Sequence, residues 1–158
     1  MFIFETKNFI VESHEQPFLP RTDGGHIRIL PKDKTISDRT KLEPKLAIEL
    51  MRFTIVCGLA LEKVMNEQGI PVIKINYQDM GNWFWKGDNP QPFLHVHIFG
   101  RATNAVKQPW PESMYLPDRK TGFYEGFEPL SGDDVKLLQT EIEKIFALPK
   151  YSDEAWGL

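Results

Sequence analysis

Two histidines one residue apart, His95 and His97 in the run LHVHIF, are the side chains of this sequence best placed to do chemistry. On a strand, positions i and i+2 project to the same face, so both imidazoles open into a shared space while Leu94, Val96 and Ile98 turn to the other side. A third histidine, His26, begins the alternating run HIRIL directly after Gly24-Gly25. If the two runs lie in one sheet, three of the four histidines in the chain converge.

Three chemistries compete for such a cluster. The rings can be half-buried strand residues whose nitrogens are satisfied by neighbours. They can bind a metal, since neutral imidazoles on one strand face are a familiar zinc or iron ligand set, although no carboxylate lies within HVHIFGR and one would have to come from Asp79 or Asp88. Or one ring can be a covalent catalyst on phosphorus. Imidazole nitrogen is both a good nucleophile and a good leaving group near neutral pH, provided that neighbouring donors hold the charge on the phosphate oxygens.

The elements that must position these rings follow from periodicity. Alternation in residues 2–13 predicts one or two short strands, and HIRIL at 26–30 predicts another, with His26, Arg28 and Leu30 on one face and Ile27 and Ile29 on the other. Leu46, Leu50, Phe53, Cys57, Ala60, Leu61 and Val64 recur at helical spacing, which predicts a long helix from about Lys41 to Gln68. Thr40 and Glu43 are expected as its capping box, Pro44 is tolerated in its first turn and Gly69 is its stop. PVIKINY at 71–77 and FLHVHIFG at 93–100 read as two strands of a hairpin joined by the turn-rich GNWFWKGDNPQP. KQPWPESMYLPD, with three prolines, reads as an irregular excursion over the surface. Ser131-x-x-Asp134 caps a last helix with Val135, Leu138, Ile142, Ile145 and Phe146 on one face. The sum is an α+β layout in a single domain of 158 residues, with no internal repeat or low-complexity linker.

Composition narrows the partners. A net charge of -3 argues against binding long nucleic acid, which requires many phosphates to be neutralised, but leaves room for a local anion site. No apolar run is long enough for a membrane span, so no membrane partner is expected. The start MFIFETKNFIVE lacks the pattern of a secretory signal, and the single cysteine, Cys57, falls on the helical apolar stripe as a buried thiol; both fit a cytoplasmic protein.

FLHVHIFGR behind a polar hairpin, together with GGHIRILPK upstream of a long helix, resembles the histidine triad superfamily of nucleotide hydrolases and transferases. The resemblance covers roughly residues 5–105 and leaves 106–158 as an extension carrying a helix. It implies a HIT-like fold: an antiparallel sheet of about five strands packed with one long helix and a C-terminal helix. In register with the family motif, Phe93 stands at the first histidine position, His95 at the central nucleophile and His97 at the third histidine.

By resemblance, His95 attacks the α-phosphate, oriented by a hydrogen bond from its other ring nitrogen to the carbonyl at position 93, while His97 and His26 donate to phosphate oxygens. Asn76 and Gln78 are implied to contact the phosphates or leaving group; as plain residues they read equally as polar ends of a hairpin. Arg28 shares the His26 face and either adds charge or forms an exposed salt bridge. The family's ribose-binding acid or amide falls at Phe18 here, with Asp23 as the alternative. Trp83, Phe84 and Trp85 read first as cover for a core and second as a base platform or lid with Lys86 near the phosphates. The implied activity is hydrolysis or nucleotidyl transfer on a nucleotide phosphoramidate, dinucleoside polyphosphate or related phosphate ester through a nucleotidyl-histidine intermediate, with no metal and no other cofactor. A homodimer joined by the long helix and a sheet edge is also implied. The alternatives are a non-catalytic nucleotide- or phosphate-binding module, and a metal-dependent enzyme using the same histidines.

Overall fold

A computed structural model describes residues 1–86 and 88–158; Gly87, in the connection expected at 81–92, lies outside the described residues. The alternating segments form five strands, β1 (Phe2–Glu5), β2 (Phe9–Ser13), β3 (His26–Pro31), β4 (Val72–Asp79) and β5 (Val96–Ala102). They make one antiparallel sheet in the order β1-β2-β3-β5-β4. The long helix α1 (Pro44–Glu67) and the helix α2 (Gly132–Phe146) complete the expected α+β architecture.

One sheet face is apolar because every second residue is. Phe9, Val11, Ile27, Ile29, Val96 and Ile98 turn to that face and meet Phe53, Val56, Cys57, Ala60, Leu61 and Val64 of α1, all of them buried. Each such side chain contributes on the order of 1.5–3 kcal/mol on burial. α2 packs on α1 and β1, so the C-terminal third is part of the same apolar layer. Cys57 is fully buried there, which pushes its thiol pKa up and leaves it a small hydrophobe. No helix is long and apolar enough to cross a membrane among the described residues.

Several local expectations are corrected. The capping box at Thr40 and Glu43 does not form: Pro44 holds Glu43 extended at ψ 150° and is itself the first helical residue, so the helix cannot start earlier. Thr40 instead donates its N–H to Asp38 Oδ1 at 2.8 Å in a short 3-10 turn. The second capping box does form, with Asp134 N–H donating to Ser131 Oγ at 3.1 Å and Ser131 N–H to Asp134 Oδ2 at 2.7 Å. α2 is not the last helix, since α3 (Asp153–Trp156) adds one further turn, capped by Ser152. β5 begins at Val96 and not at Phe93, because Leu94 N–H leaves the sheet to donate to Ile36 O at 2.7 Å.

The proline-rich segment does more than run over the surface. It covers the second face of the sheet, where Phe18, Leu19 and Phe99 form a small core with Met114, Leu116 and Tyr124 packed on it. Arg101, 2% exposed, anchors this cover by donating to the carbonyls of Gln108, Pro109 and Glu112 at 2.9 to 3.3 Å.

The turn before β3 touches β5 through glycine alone. Gly24 has φ +129°, and a Cβ there would lie 2.0 Å from the carbonyl oxygen of Gly100. Gly24→Ala is expected to lower stability by about 3 kcal/mol, from strain and overpacking together. Gly69→Ala, with φ +79° and nothing within 4 Å, is expected to lose only about 1 kcal/mol. Urea denaturation of the two variants checks this, and equal losses would contradict it.

Candidate functional site

The register assembles a polar face opposite the helices. Arg28 pairs with His97, His26 with Phe99 and Gln78 with His97, and residues paired across antiparallel strands project to the same side. On β2, Glu12 pairs with Arg28, and the next residue of that face is His14, whose N–H donates to His26 O at 3.3 Å. All four histidines of the chain therefore meet on one face. The rings of His95 and His97 are 4.8 Å apart and perpendicular, those of His26 and His97 5.0 Å apart, and His14 stacks on His26 at 4.7 Å.

A directed chain of hydrogen bonds decides where each ring carries its proton. Phe18 N–H donates to His26 Nδ1 at 3.1 Å, so the proton of neutral His26 sits on Nε2. His26 Nε2 is 2.8 Å from His97 Nδ1 and so donates to it, which puts the proton of His97 on Nε2. His95 Nδ1 is 3.0 Å from Phe93 O; a carbonyl can only accept, so Nδ1 carries the proton and Nε2 keeps its lone pair. One ring thus offers a lone pair and its neighbour an N–H. His95 and His97 both line a cavity of about 510 Å³.

Burial keeps these rings neutral. Desolvation is the main cause of a pKa pushed down to about 2 for His97 and about 3 for His14, with neighbouring cations adding to it. His26, 1% exposed, lies well below the usual histidine value for the same reason. His95 is also lowered by desolvation, partly offset by its hydrogen bond to Phe93.

The other expected site residues divide. Arg28 lines the cavity and is also ion-paired with Glu12 at 2.6 Å. Gln78 stands beside His97 with its Oε1 buried and, among the described residues, without a hydrogen-bond partner. Asn76 is drawn away from the cavity: its Oδ1 accepts from Arg101 at 3.0 Å, which corrects its placement against phosphate. Direct donation by His26 to a phosphate oxygen is corrected too, because both of its nitrogens are spent on protein partners.

Asp23, the alternative ribose acceptor, is 1% exposed and accepts from the N–H groups of Lys107 and Gln108 at 2.6 and 2.8 Å, so it ties down the extension. Trp83 and Phe84 line the cavity, Phe84 edge-on to His95 at 5.5 Å, so their reading as core cover is corrected to a cavity wall, while Trp85 is 66% exposed outside it. Lys86 pairs with Asp118 at 2.6 Å across the rim. His26 Nε2 and His97 Nδ1 point at each other, and His97 Nε2 carries a proton, so none of these three nitrogens offers a lone pair to a metal. Among the described residues no group of three or more His, Cys, Asp or Glu side chains is arranged to hold an ion.

Two titratable cavity residues escaped the sequence reading. His14 was detectable in principle: extending the alternation of FIVES by one residue puts it on the Glu12 face, opposite His26. Arg119 comes from a 3-10 turn in the extension, where no periodicity signals its position.

A family model described as HIT domain matches residues 1–104. Among curated protein sequences there is no significant match. Among solved structures, a histidine triad protein from Bradyrhizobium japonicum superposes with a TM-score of 0.58 at 18% identity, covering 91% of this chain and 88% of that one. A zinc-bound histidine triad family protein from Mycobacterium smegmatis gives a TM-score of 0.56 at 17% identity, covering 91% and 84%. A hypothetical histidine triad nucleotide-binding protein from Sulfolobus tokodaii gives 0.55 at 16% identity, covering 90% and 80%. A shared fold at such low identity, a family match over some two thirds of the chain, and His95 and His97 side by side on the polar face of the sheet lead to one assignment: the chain belongs to the HIT domain family, within the histidine triad superfamily of nucleotide hydrolases and transferases.

Proposed function

We propose that the protein hydrolyses, or transfers the nucleotidyl group of, a nucleotide phosphoramidate, dinucleoside polyphosphate or related phosphate ester through a nucleotidyl-histidine intermediate at His95. The observation that carries this reading is the pair of tautomers at the cavity, a lone pair on His95 Nε2 next to an N–H on His97 Nε2.

His95 Nε2 attacks phosphorus; the P–Nε2 bond forms as the bond to the leaving group breaks, and the leaving group takes a proton from solvent. Water then attacks the same phosphorus, the P–Nε2 bond breaks, the water's proton returns to solvent, and the ring recovers its starting tautomer. His97 donates to a phosphate oxygen in both steps, and His26 acts behind it by holding its tautomer and orientation. Arg28 adds positive potential, and Gln78 is retained as a contact to the phosphate or leaving group. The role the family gives to the carbonyl at position 93 needs no particular side chain, so Phe93 is compatible with turnover. No step requires a metal or another cofactor.

We further propose a homodimer formed through α1 and the sheet edge. Met51 and Leu59 on α1 and Ile73 and Tyr77 on β4, the terminal strand of the sheet, are large apolar residues left exposed. The buried, unpaired Cys57 suits a reducing cytoplasm.

Three outcomes are expected. His95→Asn lowers turnover of an adenosine phosphoramidate by at least about 10³-fold while the far-ultraviolet circular dichroism and AMP binding persist. Unchanged turnover removes His95 from the mechanism, and AMP binding without turnover by the wild type leaves a binding module. The attacking nitrogen must be unprotonated and its pKa is depressed by burial, so the acid limb of kcat/KM is expected to be centred below 6.5, the ordinary histidine value. An acid limb centred at or above 6.5 contradicts that environment for His95. Sedimentation equilibrium should give twice the 18.3 kDa chain mass, and a monomer at micromolar concentration contradicts the dimer.

A further inference from the structure

Arg119 lies outside the part of the chain that matches the family, yet it lines the same cavity as His95 and His97. Its position is fixed from several sides. The guanidinium lies 4.4 Å over the Phe18 ring and 5.2 Å from that of Tyr124, and Nη2 donates to Gln16 O at 2.6 Å. The turn that carries it is capped by Asp118, which accepts from Lys120 N–H at 3.0 Å.

What Arg119 lacks is a counter-ion. The neighbouring carboxylate, Asp118, is held by Lys86 at 2.6 Å, and the other cavity arginine, Arg28, is paired with Glu12. Arg119 makes no ion pair among the described residues, and burial lowers its pKa, as expected for a charge that has lost water without gaining an anion. Among the described residues no carboxylate lines the cavity. A guanidinium has five N–H donors in a planar fork, and the single bond to Gln16 O leaves most of them unused. Stacking on two rings has already removed much of the side-chain freedom that binding would otherwise cost.

We propose that Arg119 is a specificity-determining residue that grips a second anionic group of the substrate, beyond the phosphorus facing His95, as in a nucleoside diphosphate or longer polyphosphate. The inference rests on the nucleotide reading of the site but not on its chemistry. It selects, within that reading, substrates whose leaving side is itself charged, because a planar fork pairs with phosphate oxygens through two parallel hydrogen bonds. A neutral leaving group would leave the guanidinium unmatched.

The test is calorimetric titration of the full chain with AMP and with ADP. Wild type is expected to bind ADP at least about tenfold more tightly than AMP. Arg119→Met keeps an apolar stem on Phe18 and Tyr124, and should cut that ratio to about threefold or less with AMP affinity nearly unchanged. Arg119→Lys, which keeps the charge but loses the fork, should fall between the two and serves as the second variant if the methionine form does not fold. Equal wild-type affinities, or an ADP preference that survives in the variants, overturns the assignment. Failure of both nucleotides to bind overturns it together with the nucleotide reading. The expected binding ratios without any turnover leave Arg119 standing and remove only the His95 chemistry.

Discussion

The hydrogen bond between His26 and His97 is the constraint on which the site depends. An isolated imidazole exchanges its proton between two nitrogens freely, and a catalytic pair built from such rings would be correctly protonated only part of the time. Here the backbone N–H of Phe18 forces His26 into one tautomer, and His26 passes that choice to His97. The carbonyl of Phe93 makes the opposite choice for His95. Two backbone groups, neither dependent on the identity of a side chain, thus give adjacent rings complementary roles. Burial completes the arrangement by keeping all the rings neutral, since a second proton on His97 or His26 would have no acceptor to receive it.

The fold supplies this arrangement through the two faces of one sheet. The apolar face packs on α1 and needs only hydrophobic residues of suitable size, whereas the polar face carries the histidines and is roofed by the segment after Arg101. That roof is tied down by buried polar contacts: Asp23 to the Lys107 and Gln108 amides, Arg101 to three carbonyls, and Gln108 Nε2 to Phe18 O and Tyr115 O. Phe18 sits at the junction. Its amide sets the tautomer chain, its carbonyl holds the roof, and its ring supports Arg119. A net-acidic chain can therefore present a cavity bordered by two arginines and three imidazoles, because a local field depends on which side chains are gathered and not on the total charge.

Much of this was legible in the residue order. Period-two alternation located β3 and β5 and put His95 and His97 on a common face, and the 3.6 period located α1 with Cys57 inside. What failed to show was nonlocal. Asn76 looked equivalent to Gln78 because both are amides on one strand face, and only the Arg101 side chain reaching across from β5 separates them. His26 looked like a ligand donor because strand pairing shows which face a ring occupies but not that both of its nitrogens are already taken. Thr40 and Glu43 have the capping-box spacing, yet Pro44 imposes a later helix start. Arg119 and Asp23 belong to segments without periodicity, where position is dictated by hydrogen bonds to distant backbone.

The protonation pattern can be read directly by nitrogen-15 NMR of the histidine rings in uniformly labelled protein at neutral pH. The account predicts four neutral imidazoles, with the proton on Nδ1 for His95 and on Nε2 for His26 and His97. A proton on Nε2 of His95, or an imidazolium at His97, would contradict it.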